Sequence, residues 1–105
     1  MDLDYLKRNA SQFAYQLRKF FPEGESPINH YICENHLVVL STKKLYIYFY
    51  EKYIDYVEAY FEESNVSVVE NNGCIVNIDK KVFHLKFERE VDSLSFYKYY
   101  LKYKE

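Results

Sequence analysis

Glu70, Asp79 and Lys81 stand in the stretch VVENNGCIVNIDKK, two carboxylates and an amine on what read as neighbouring strands. Carboxylates of that kind hold Mg²⁺, and a lysine beside them would stabilise an attacked phosphate. A second set, His30, Cys33 and His36 in HYICENH, recurs at three-residue intervals. On a helix that spacing would converge on Zn²⁺. On an extended segment Cys33 points away from both imidazoles, which leaves a buried thiol between two polar-facing rings. His84 has no serine or cysteine placed for a triad, and two glycines in the whole chain leave no glycine-rich phosphate cradle. The sequence therefore offers no catalytic set, no metal site and no cofactor site that outweighs a structural reading, and a non-enzymatic protein is expected.

The order Glu70, Asp79, Lys81 loosely resembles the PD-(D/E)xK nuclease pattern, and that resemblance implies a metal-dependent nuclease as one alternative. The chain departs from the pattern in two places. Its proline-acid pair is missing, and Asp79-Lys80-Lys81 falls at a turn instead of inside a strand.

The richest chemistry lies in KKLYIYFYEKYIDYVEAYF, Lys43 to Phe61, with six tyrosines. Leu45, Ile47 and Phe49 alternate with Tyr46, Tyr48 and Tyr50, so the first half predicts a strand with an apolar face and a phenol face. Left open to water beside Lys43 and Lys44, with Lys80 and Lys81 adding charge from another turn, three phenols would stack on unpaired bases. Covered by helices or by a second subunit, the same rings are core or interface, and a homodimer is one expectation. From Glu51 the rhythm changes. Tyr53, Ile54, Val57, Tyr60 and Phe61 fit one stripe of a helix, and Glu51, Asp55, Glu58 and Glu62, extended by Glu63, line up on another. Like charges at that spacing repel by roughly a few tenths of a kcal/mol per pair. The ridge is therefore either a solvated face or a docking face for a basic partner.

The elements that would position these groups follow from periodicity. Residues 3 to 21 predict an amphipathic helix capped by Asp2, closed by FPEGESP. The segment His30 to Ser41 ends in Leu37-Val38-Val39-Leu40, a strand inside a sheet. LYIYFY and the helix from Glu51 come next. Val66 to Glu70, Cys74 to Ile78 and Val82 to Glu88 predict three more strands, the first two joined by Asn71-Asn72-Gly73. Asp92 or Ser93 starts a last helix whose apolar side is Leu94, Phe96, Tyr97, Tyr100, Leu101 and Tyr103, with Val91 stapled onto Phe96.

The chain of 105 residues is expected to form a single α+β domain, residues 1–105. Its mostly antiparallel sheet would have four to five strands with three helices, in the order α-β-β-α-β-β-β-α. Thirteen Tyr and eight Phe against a net charge of −2 describe a tyrosine-rich protein without general attraction to polyanions. The acidic start MDLDYLKRNA has no basic leader and no apolar run approaches a membrane span, so a cytoplasmic, intracellular protein without membrane contact is expected. Cys33 and Cys74 read as buried thiols.

Taken together, the residues point to a non-catalytic accessory protein, inhibitor-like in its use of surface complementarity. Glu51, Asp55, Glu58 and Glu62 would steer a protein partner, and Tyr46, Tyr48, Tyr50 and Tyr56 would supply contact energy. In composition the chain resembles small proteins of viruses and prokaryotic mobile elements. Single-stranded nucleic-acid binding through the sheet tyrosines and Lys43, Lys44, Lys80 and Lys81 is the alternative from another class.

Overall fold

The computed structural model describes residues 9, 12, 21–49, 55–70 and 72–104. The predicted helix over 3 to 21, Tyr50 and Glu51 fall almost wholly outside them. Seven strands and one C-terminal helix build the described fold: β1 (Pro27–Ile32), β2 (His36–Ser41), β3 (Lys44–Phe49), β4 (Asp55–Tyr60), β5 (Ser64–Val69), β6 (Gly73–Ile78), β7 (Lys81–Lys86) and α1 (Glu90–Lys104). They form two antiparallel sheets in the orders β1-β2-β3-β4 and β5-β6-β7, so every strand pairs only with its neighbours in sequence.

This overturns the expected α-β-β-α-β-β-β-α order. The segment taken as one strand from His30 is a hairpin, because Cys33 to Asn35 turn the chain and pair β1 with β2. More consequentially, the segment expected as an acidic helix is β4. It lies against β3 in the register Lys44↔Tyr60, Tyr46↔Glu58 and Tyr48↔Tyr56. A single 3-10 turn, Phe61–Glu63, then leads into β5. The physical reason is that residues 56 to 60, YVEAY, satisfy a two-residue period as well as a helical one. Pairing with β3 buries Ala59 and half-buries Val57 on the core side.

One apolar cluster lies between the sheets. Tyr31, Val38, Leu40, Leu45 and Ile47 from the first meet Val66, Val76, Ile78 and Leu85 from the second. The run Leu37 to Leu40 is wholly buried because β2 is central and both of its faces are covered. α1 seals the cluster with Phe96 and Tyr100. Its first turn carries Glu90 and Asp92 and its last Lys102 and Lys104, each sign placed where the helix dipole favours it. Val91 is exposed and makes no staple. One corner between the sheets is closed by an isolated bridge, Cys33 to Phe87, supported by the Glu34 N–H donating to the Lys86 carbonyl at 2.9 Å.

Candidate functional site

The tyrosine face of β3 is covered. Tyr46 and Tyr48 are 5% and 8% exposed and form a second apolar cluster with Leu37 and Val39, packed by Phe21 and Ile32. Phe21 stacks on the Tyr46 ring at 5.3 Å. The Tyr46 hydroxyl donates to Glu25 at 2.8 Å, and the Ser41 hydroxyl donates to the same oxygen at 2.6 Å. Burial pushes the Tyr48 phenol up to about 12, and burial and the Glu25 contact push Tyr46 up further. Neither ring offers an open face to a base. Tyr50, the third member of the ladder, lies outside the described residues.

The open aromatic surface is on the neighbouring strand, which the sequence reading had turned into a helix. Positions 56, 58 and 60 of β4 share one side, and β4 is an edge of its sheet. Tyr56 is 50% exposed and stacks on Tyr48 at 5.2 Å; Tyr60 is 44% exposed. Between them stands Glu58, in an ion pair with Lys44 at 3.7 Å, and the same amine lies 4.8 Å from the Tyr60 ring centre. Two half-exposed phenols, a carboxylate and an amine thus occupy one strand edge. Tyr60 was missed because the helical reading buried it; its place opposite Lys44 is visible only once β4 is paired.

Among the described residues the acidic row has no counterpart, and Glu51 lies outside them. Spacings of three and four that would align Asp55, Glu58 and Glu62 on a helix have no common side on a strand. Glu62 is exposed in the 3-10 turn beside Glu63, while Asp55 opens β4 opposite Phe49. The lysine turns do come together. The Phe61 N–H donates to the Lys43 carbonyl at 3.3 Å, and Ser64 sits opposite Ile78, which sits opposite Lys81. Lys43, Lys44, Lys80 and Lys81 therefore lie at one end of the molecule, interleaved with Glu62, Glu63 and Asp79. That end is mixed in sign and makes no basic track for phosphates.

The nuclease set does not assemble. Glu70 follows β5 and Asp79 follows β6, so they stand at opposite ends of a hairpin, roughly 17 Å of strand apart. Among the described residues no three His, Cys, Asp or Glu side chains gather as a metal site. Of the other set, His30 faces Val39 on the covered side of the first sheet, His36 touches Phe49 at 5.5 Å, and Cys33 is buried in the core. A cleft of about 380 Å³ lies over Cys33, lined also by Ile32, Asn72, Phe87 and Glu88 and rimmed by the exposed Glu34–Lys86 pair at 3.9 Å. Cys33 is free, and burial, with Cys74 nearby, raises its pKa strongly; burial carries Cys74 to about 11. Thiols held protonated in this way are poor nucleophiles.

No protein-family model and no curated protein matches the chain. Among solved structures it is similar to a pleckstrin homology domain from Shewanella amazonensis SB2B, at 14% identity and a TM-score of 0.63. The match covers 89% of this chain and 96% of that one. A sheet of four strands, a sheet of three and a closing helix, in that order, give this chain a pleckstrin-homology-like fold.

Proposed function

We propose that the chain is a non-catalytic protein-binding module whose contact edge is Tyr56, Glu58 and Tyr60 of β4. The observation that carries this reading is the pair of half-exposed tyrosines flanking a carboxylate on an edge strand. Tyrosine supplies a large contact area at low entropic cost, and the Lys44–Glu58 pair adds orientation. Folds of the pleckstrin homology type are commonly non-catalytic modules that bind proteins or lipids. A protein is favoured over an anionic lipid surface here because the exposed lysine turns are matched by Glu62, Glu63 and Asp79.

The test is site-specific photo-crosslinking in cells of the source organism, with the photoreactive residue at position 60 and, as a control, at the exposed position 82 of β7. A discrete protein adduct is expected at position 60, with recovery falling more than about tenfold in a Tyr56→Ser, Glu58→Gln variant. Equal adducts at both positions, or recovery unchanged by the variant, would remove β4 as the contact edge.

A further inference from the structure

Two sheets of four and three strands present four outer strands, β1, β4, β5 and β7. β1 begins at Pro27, is irregular between Pro27 and Asn29, and meets β7 at the Cys33–Phe87 corner, where the Glu34 N–H donates to the Lys86 carbonyl. β5 lies along α1. Its Ser64 and Val66 are buried, and the Ser64 carbonyl accepts from the Tyr100 hydroxyl at 2.6 Å and from Lys104 Nζ at 3.2 Å. β4 differs from all three, because Tyr56, Glu58 and Tyr60 along it are each about half exposed.

The ladder between β3 and β4 fixes which main-chain groups of β4 face outward. The Phe61 N–H donates to the Lys43 carbonyl at 3.3 Å, one step beyond the Lys44↔Tyr60 pair. Hydrogen-bonded and non-hydrogen-bonded pairs alternate in an antiparallel ladder. Phe61, Ala59 and Val57 therefore turn their N–H and C=O groups to β3, and Tyr60 and Glu58 turn theirs away. The Tyr60 N–H agrees with this phase, since it donates to Glu63 Oε1 at 3.3 Å and not to β3. Glu58, in the middle of the strand, keeps an outward N–H and an outward C=O, and among the described residues neither has a partner.

The side chains select what can lie along this edge. Glu58 gives Oε1 to Lys44 at 3.7 Å, and its second oxygen remains for another cation. Tyr56 and Tyr60 flank it two positions away on the same face, and Glu62 and Glu63 are exposed beyond Tyr60. A carboxylate in the middle of an edge strand opposes pairing with an acidic or wholly apolar strand and favours a basic one. Pairing of Glu58 on Glu58 of a second copy would set two carboxylates side by side, which is destabilising.

Resting on the reading of β4 as the contact edge, we propose that the protein partner docks there as an extended segment antiparallel to β4. It carries an arginine or lysine opposite Glu58 and apolar side chains two residues to either side. An antiparallel segment meets both outward groups of Glu58 through a single residue. The side chain of that residue falls on the face of Glu58, where its cation meets the second carboxylate oxygen between two aromatic rings. The apolar side chains stand opposite Tyr56 and Tyr60. Because Glu63 already holds the Tyr60 N–H, the backbone pairing is short and the side chains supply most of the specificity.

The experiment is selection of short random peptides on the immobilised full chain, followed by fluorescence anisotropy of the enriched peptides with one amide N-methylated at a time. Enriched peptides are expected to carry a basic residue flanked at two-residue spacing by apolar ones. N-methylation of the basic residue's own amide, which donates to the Glu58 carbonyl, is expected to weaken binding more than about tenfold. The next amide points away from β4, and its N-methylation is expected to change affinity less than about twofold. Glu58→Gln is expected to weaken these peptides about tenfold, and to leave unchanged the weaker binding of versions with norleucine in place of the basic residue. Selection that enriches no peptide, peptides without a basic residue, or an N-methyl scan without alternation each overturns the proposal. Binding that is lost in the Tyr56→Ser, Glu58→Gln variant but indifferent to N-methylation overturns strand pairing alone and keeps β4 as the contact edge. Binding that the variant leaves unchanged counts against both.

Discussion

Tyr46 and Tyr48 behave as core residues that happen to carry phenols. Their hydroxyls must ionise against burial, so Tyr48 titrates near 12 instead of the usual 10.0 and Tyr46 higher still. A folded-state pKa raised in this way means that the native state holds its proton where the unfolded chain would lose it. The stabilisation is complete below pH 10 and is lost as pH rises through about 12. In a spectrophotometric alkaline titration these two phenols are expected to ionise together with loss of the fold. Smooth ionisation of every phenol near pH 10 with the fold intact would contradict their burial. Two other side chains set the local backbone. Asn72 and Asp79 adopt φ of 61° and 57°, the left-handed conformation that Asn and Asp tolerate in turns. Gly73 has the tighter constraint: a Cβ there would lie 2.9 Å from Val69 Cγ2 and 3.3 Å from the Glu70 carbonyl.

Among the elements, β3 and β5 to β7 were legible because a two-residue alternation has one solution when a turn signal bounds it. Phe83, Leu85 and Phe87 turn inward and His84, Lys86 and Glu88 outward, as the pattern requires. β4 was not legible. Val57 and Tyr60 fit a helical stripe, and Tyr56, Glu58 and Tyr60 fit one side of a strand equally well; only the unpaired edge of β3 chooses between them. The error moved Tyr60 from surface to core and aligned Asp55, Glu58 and Glu62, which share no side on the described elements, so of the proposed edge Tyr56, Glu58 and Tyr60 only Tyr60 went unseen. Ala59 separates the two descriptions sharply. On the expected helix it lies off the buried stripe, whereas on β4 it is buried opposite Leu45. Ala59→Leu is expected to cost about 1–3 kcal/mol in denaturant unfolding through overpacking. A change within about 0.5 kcal/mol would return this segment to an exposed setting.

On the scale of the molecule, α1 is the element that holds the two sheets to a common core. Phe96 lies 5.5 Å from the Phe87 ring, the Tyr31 hydroxyl meets the Ser95 hydroxyl at 2.8 Å, and Tyr100 reaches Ser64 from the far end. Tyr100→Phe leaves the ring in place but takes the buried hydroxyl from both the Ser64 carbonyl and Lys104. A loss of about 1–2 kcal/mol is expected by chemical denaturation, with the slope against denaturant unchanged. Two sheets and a closing helix also explain why chemistry was hard to place from sequence. Residues near one another along the chain, such as Glu70 and Asp79, are sent to opposite ends by a hairpin, while Lys43 and Lys81 are brought to the same end. The pairing of each strand with its sequence neighbour has a kinetic consequence. Nearly all of the ladder consists of short-range closures that cost little chain entropy, so five hairpin contacts can zip in any order. The Cys33–Phe87 bridge joins residues 54 apart in sequence and closes a far longer loop than any hairpin, so its closure is expected to follow theirs.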